Sequence, residues 1–190
     1  MRIAVALILT VAMFAPARAG EKSGVRMPDT MVLAGKRLTL NGMGLREATV
    51  FNVNVYVAGL YLETVSSNAN AIVQSNQVKI LTLRFVRDVD RGDITKAWRD
   101  GFKNNATVKL ATIQPLIDRL NAWMPDFSDG DVLTFSYVPD TGVTVVINGQ
   151  VKGTINHEEF ARSLFSIWLG QKPPTKALRS GLLGKHGATS

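Results

Sequence analysis

From Thr39 to Leu62 the chain reads TLNGMGLREATVFNVNVYVAGLYL, and past its glycines the apolar positions fall into a two-residue rhythm. Val53, Val55, Val57, Gly59 and Tyr61 line one face of a strand, and Asn52, Asn54, Tyr56, Ala58 and Leu60 line the other. Both faces are at least half apolar, so this strand needs cover on each side. Its length predicts a bend or bulge near Ala58-Gly59. Upstream, TMVLAGKRLTLNG reads as a hairpin hinged at Gly35, and Gly42 and Gly44 bracket Met43 as a turn that delivers Arg46 to the start of the long strand. The preceding GEKSGVRMPD is a polar lead-in.

Downstream the period alternates. SSNANAIVQS predicts a short helix capped by Ser67 or Asn68, and VKILTLRFV an apolar strand. Over residues 90–105, Ile94, Ala97, Trp98, Gly101 and Phe102 recur at helical spacing, with Asp90 or Asp93 near the N-cap. A second helical pattern runs from Leu110 to Met124, where Pro115 either starts the main part or kinks it. After a loop over Pro125–Gly130 come further strands, with Asn148-Gly149 as a two-residue type I′ hairpin turn. Helical spacing returns after His157, with Phe160, Leu164, Ile167 and Trp168 on one face and Gly170 as C-cap. Pro173-Pro174 then separates off a last short helix, TKALRSGLL. This order predicts an α+β fold in which a mostly antiparallel sheet carries helices on one side.

The first nineteen residues stand apart from that order. Arg2 supplies a positive n-region, Ile3 to Phe14 an apolar stretch too short to span a bilayer, and Ala17-Arg18-Ala19 an A-x-A cleavage site. The expectation is a signal peptide over 1–19, cleavage near Ala19, export to the periplasm or beyond, and a single mature domain over 20–190 with an ordered core of about 25–184. No later stretch reads as a transmembrane segment. The chain has no cysteine, which excludes thiol nucleophiles, iron–sulfur clusters and Cys-ligated zinc. Of its two histidines, His157 reads as a helix-entry residue and His186 lies in a Gly-rich tail, so no metal site and no cofactor is expected. The net charge of +7 falls by two when Arg2 and Arg18 are removed. The remaining basic residues are scattered among acids rather than gathered in an aromatic-interleaved stripe, which argues against nucleic acid and leaves anionic small molecules open.

The usual catalytic signatures fail on context. LNGMGLRE lacks the third glycine and the helix of a dinucleotide site, and GLLGK lacks the spacing of a phosphate loop. No G-x-S-x-G elbow occurs. What remains is Arg46 with Tyr56. A guanidinium at the edge of an apolar chamber can hold a carboxylate or enolate oxygen, and a phenol can complete the contact. Alternatively, Arg46 is a surface charge paired with Glu47 or solvent, and Tyr56 packs sideways in its strand.

LNGMGLR, followed some ten residues later by VYVAGLYLE, resembles the chalcone isomerase superfamily, and more closely its bacterial exported branch. DVDRGDITKAWRDGFKNN and FARSLFSIWLGQKPPTKALRSGLL fit the middle and closing helices of the same family. The resemblance implies an open-faced β-sandwich, a large antiparallel sheet under a helix layer with a ligand cleft between them. In the plant enzymes the arginine of the Gly-x-Gly-x-Arg motif stabilises an enolate oxygen, and Arg46 takes that position. The strand threonine of those enzymes matches Tyr56, their helix tyrosine falls near Ile94 or Thr95, their helix asparagine near Asp100 or Gly101, and their late Ser or Thr at Ile167. The cation is kept and the proton-handling partners are lost. This is the pattern of the family's non-catalytic fatty-acid binders, in which an arginine and a strand tyrosine hold the carboxylate. The resemblance therefore implies a ligand site of Arg46 and Tyr56, with Trp98 and Phe102 as walls and Phe160, Leu164 and Trp168 as further candidates, and a small amphipathic anion such as a fatty acid as partner. Two alternatives stand beside it. One is a cofactor-free isomerase acting on an enone-type substrate through Arg46 and Tyr56, and the other is a closed cleft in a structural or interaction partner.

Overall fold

The computed structural model describes residues 20–48 and 53–184. The expected signal peptide, Asn52 and His186 lie outside the described residues. The polar lead-in proves to be a two-stranded antiparallel ribbon, β1 (Gly20–Lys22) and β2 (Val25–Met27). Its turn at Ser23-Gly24 has two positive φ angles, and Val25 and Met27 are buried. Seven further strands follow in chain order across one antiparallel sheet: β3 (Thr30–Leu33), β4 (Lys36–Ala48), β5 (Val53–Leu62), β6 (Lys79–Phe85), β7 (Val132–Val138), β8 (Gly142–Ile147) and β9 (Gln150–Ile155). The expected hinges close β3 to β4 at Ala34-Gly35 and β8 to β9 at Asn148-Gly149, both with two consecutive positive φ values.

Two expectations about β4 and β5 are corrected. Gly42 and Gly44 form no turn, because β4 runs unbroken through them as one strand of 13 residues. They are glycine because a helix lies on them: a Cβ on Gly42 would stand 2.1 Å from the Gly181 carbonyl oxygen, and one on Gly44 2.4 Å from that of Leu178. The bend expected near Ala58-Gly59 is absent as well, since β5 pairs in regular register with β6 there. The irregularities of the β4–β5 ladder lie elsewhere, with Asn41 the extra residue of β4 between Leu40 and Gly42, and Val55 the extra residue of β5 opposite the step from Arg46 to Glu47. Gly59 is small because the Met27 sulfur of the ribbon would come within 2.3 Å of an added Cβ.

The helices are α1 (Ala69–Gln74), α2 (Arg91–Asn105), α3 (Leu110–Ala122), α4 (Glu158–Leu169) and α5 (Lys176–Leu182). Asn68 caps α1 by accepting from the Ala71 N–H. Asp90 holds the N-cap position of α2 without a capping bond, and the carboxylate of Asp126 accepts from the Arg91 N–H at 2.7 Å in its place. Pro115 lies inside α3 rather than starting it. His157 is indeed a helix-entry residue, its Nδ1 accepting from the Phe160 N–H at 3.2 Å. Gly170 does end α4, but with an extended backbone rather than a left-handed one.

The helices pack on one face of the sheet, in the α+β arrangement expected. α4 is the central helix, in contact with each of the other four, and nine of its residues are buried. The apolar core between helices and sheet takes Tyr56, Ala58, Leu60 and Leu62 from β5. The alternate residues Val57 and Tyr61 point to the opposite face, where they pack under the ribbon with Val25, Met27, Leu38 and Met43. The double cover demanded by the two apolar faces of β5 is thus met by helices on one side and by the ribbon on the other.

Candidate functional site

Arg46 and Tyr56 are direct cross-strand partners in the β4–β5 ladder, so their side chains leave the same face of the sheet. Gly42 and Gly44 precede Arg46 on that face, and α5 lies against them. The helix runs against the strand, with Gly181 on Gly42 and Leu178, near the helix start, on Gly44, so that Arg46 lies past the end of the helix. There the sheet end, the segment Arg87–Asp90, the face of α2 and the linker Lys172–Pro174 enclose a cleft of about 810 Å³. Arg46, Tyr56 and Trp98 are on its walls. Of the two readings left open for Arg46, the structure places it half-buried at a cleft. Its Nη1 donates to the Glu47 carbonyl, and among the described residues no carboxylate pairs with it.

Tyr56 is buried at the bottom of this arrangement, 4% exposed. Its hydroxyl oxygen accepts a hydrogen bond from the Trp168 indole N–H at 3.0 Å. Burial pushes the phenol up to about 12, against smaller opposing effects of the Trp168 hydrogen bond and the Arg46 charge. The group is therefore a neutral donor at any ordinary pH. Its ring meets Phe85 edge-on, with centroids 5.8 Å apart. Trp98 is 2% exposed and its buried Nε1–H has no hydrogen-bond partner among the described residues, an uncompensated donor next to the cleft.

Phe102, expected as a wall with Trp98, does not reach the cleft. It is fully buried one turn further along α2, with its ring centroid 5.5 Å from that of Phe160. Phe160, Leu164 and Trp168 are also fully buried and line no part of the cleft, and Trp168 packs against Trp98 and Phe135 at centroid distances of 5.4 and 5.7 Å. The four are core residues, and only Trp168 touches the site, through Tyr56.

Other features of the site had no mark in the sequence reading. Lys172, Pro173 and Pro174 form one side of the cleft. That linker is tied to α2 by Asn105, whose amide donates to the Lys172 carbonyl at 2.8 Å and accepts from its N–H at 2.9 Å. The rim carries charges of both signs, with Arg87, Lys96 and Lys172 interspersed among Asp88, Asp90, Asp93 and Asp100, and Lys96 pairs with Asp100 at 2.8 Å. Far from the cleft, Lys79 opens β6 at 2% exposure and donates to the carbonyls of Ile72 and Ser75 at the end of α1. Burial, with the Arg162 charge second, lowers it to about 8. Among the described residues no group of three or more His, Cys, Asp or Glu side chains is placed to hold a metal ion, and no helix is long and apolar enough to cross a membrane.

Comparison with known proteins adds three likenesses. The sequence model of a family described as chalcone isomerase-like matches residues 19–184. A protein of Haemophilus influenzae, named only as uncharacterized, is 27% identical over 153 residues, which cover 77% of this chain and 71% of that one. The crystal structure of an Arabidopsis thaliana fatty-acid binding protein superposes with a TM-score of 0.72 over 87% of this chain and 96% of that one, at 14% identity. At that identity the likeness establishes the fold alone.

Proposed function

Because this chain belongs to the chalcone isomerase-like family, we propose that its cleft is a non-catalytic binding site for a fatty acid or similar amphipathic carboxylate, in a protein exported to the periplasm or beyond. The observation that carries the reading is the cross-strand pair of Arg46 and Tyr56 at one wall of a cleft of about 810 Å³. A cation that has no carboxylate partner among the described residues and a neutral phenol beside it present donors to an anionic oxygen, the contact in which charge-assisted hydrogen bonds are strongest. Each methylene buried behind the head group contributes about 0.8 kcal/mol, so a tail of eight or more offsets the several kcal/mol of desolvating the ion pair. The fold shared with a fatty-acid binding protein supports the same reading. Export is supported by the signal-like segment 1–19, outside which nearly all of the family match falls.

Native mass spectrometry of the mature protein tests this. The expected result is a bound lipid mass, or uptake of an added fatty acid, that Arg46→Ala abolishes. An unliganded mass with no uptake would overturn the reading.

Arg46 at the cleft also fits a cofactor-free intramolecular lyase, with Arg46 stabilising an enolate and Tyr56 supplying the proton. The phenol weighs against it, since an acid pushed up to about 12 is a weak proton donor at neutral pH and is not ionised to act as a base. Turnover of a chalcone that Arg46→Ala abolishes would favour this second reading.

A further inference from the structure

We propose that Trp168 is a positioning residue that makes the cleft select a head group able only to accept hydrogen bonds, a carboxylate, over one that also donates, such as an amide. This rests on the binding reading above and adds to it what determines head-group choice. An indole N–H can only donate, and that of Trp168 engages the Tyr56 oxygen at 3.0 Å from a side chain that is fully buried in α4. A phenol carries one proton and accepts through the remaining lone pairs, so a donor fixed on one side turns the phenol's own proton to another. Among the described residues that proton has no acceptor. The charged neighbour of Tyr56 is Arg46, its cross-strand partner, which has donors alone and cannot receive it. The proton is left for whatever occupies the cleft. Arg46 and Tyr56 then both present hydrogens to the ligand, and a ligand N–H placed against them meets hydrogen on hydrogen. Without the Trp168 bond, the Tyr56 oxygen would be free to accept from such a donor, and the discrimination would weaken while Arg46 stayed intact.

The test has a ligand-free arm and a ligand arm. In the first, the Trp168 indole N–H resonance of the 15N-labelled full mature protein is followed on Tyr56→Phe. It should move as the acceptor is lost, and an unmoved resonance would overturn the proposal. In the second, decanoate and decanamide are titrated into wild type and Trp168→Phe by calorimetry. The acid-to-amide affinity ratio should fall about tenfold, the loss expected for one oriented hydrogen bond. Equal weakening of both ligands would mean that Trp168 only packs, and would overturn it. If Trp168→Phe does not fold, Tyr56→Phe takes its place and should lower the ratio to the same extent, an unchanged ratio again being fatal. Wild type that binds neither probe would bring down the binding reading and the selectivity with it, while the indole resonance still decides whether Trp168 holds the phenol.

Discussion

Replacing Gly44 with alanine puts the packing explanation of the Gly-x-Gly-x-Arg segment at risk. An added Cβ would stand 2.4 Å from the Leu178 carbonyl oxygen, 2.8 Å from the Leu178 Cδ1 and 2.9 Å from its Cα. Ordinary contact begins near 3.4 Å, so strand and helix must part by about 1 Å. Two of these three atoms are backbone, and no rotamer change relieves them. Overpacking of this kind typically costs about 1–3 kcal/mol. The ceiling is set by losing α5 altogether, which would expose the buried side chains of Leu178, Leu182 and Leu183 at about 2 kcal/mol each, or roughly 6 kcal/mol. We expect Gly44→Ala to lose about 3 kcal/mol, measured by urea denaturation, with a fall in Tm of roughly 6–12 °C. Gly92→Ala is the matched control. A Cβ there meets nothing within 4 Å, and α2 should gain about 0.5–1 kcal/mol from the reduced freedom of the unfolded chain. A Gly44→Ala protein within about 0.5 kcal/mol of wild type would refute the claim that these glycines exist to admit α5.

Other outcomes follow from the buried groups. Lys79 is lowered to about 8 in the folded protein and titrates at its ordinary 10.5 when unfolded, so the unfolded chain holds more protons between those values. Its contribution to stability should therefore rise with pH across about 8–10.5, by at most about 3 kcal/mol, and Lys79→Met should flatten that slope in denaturation curves taken at several pH values. Tyr56 and Tyr61 are raised to about 12 and burial raises Tyr137 as well, so the folded protein should show little tyrosinate absorbance change near pH 10, and the difference between wild type and Tyr56→Phe should appear only well above it. The stabilising influence of Tyr56 is present below pH 10 and lost as pH rises toward 12. Phe102→Ala should cost about 3–5 kcal/mol of stability, as a core residue, and leave the relative affinities of different carboxylates unchanged in a competition assay.

What the sequence made legible was governed by short range. The type I′ turn at Asn148-Gly149 and the cap at Asn68 are decided within a few residues, and both stand where the pattern puts them. The alternation along β5 likewise separates Tyr56 and Leu60 from Val57 and Tyr61 correctly. Gly42, Gly44 and Gly59 carry no local sign of their role because their reasons are distant in the chain: Gly181 and Leu178 for the first two, Met27 for the third. A glycine looks the same whether a turn or a neighbouring backbone requires it. The pairing of Arg46 with Tyr56 needed the register of β4 against β5, which passes through two irregularities that nothing local announces. Trp98 and Phe102 share one stripe of α2, and only the position of the sheet end decides that the first borders the cleft and the second is core. The ribbon did leave a trace, since Val25 and Met27 alternate after Ser23-Gly24, but its composition hid it among polar residues.

Because every strand of the large sheet pairs with its immediate successor, assembly can proceed strand by strand as the polypeptide emerges. α5 breaks that order: it is the final helix, yet its seat is on β4, near the beginning. The strand that carries Arg46 thus receives its cover late. A chain shortened before Lys176 should retain most of its ladder, and with it the Lys172–Pro174 side of the cleft, but leave Gly42 and Gly44 bare to water.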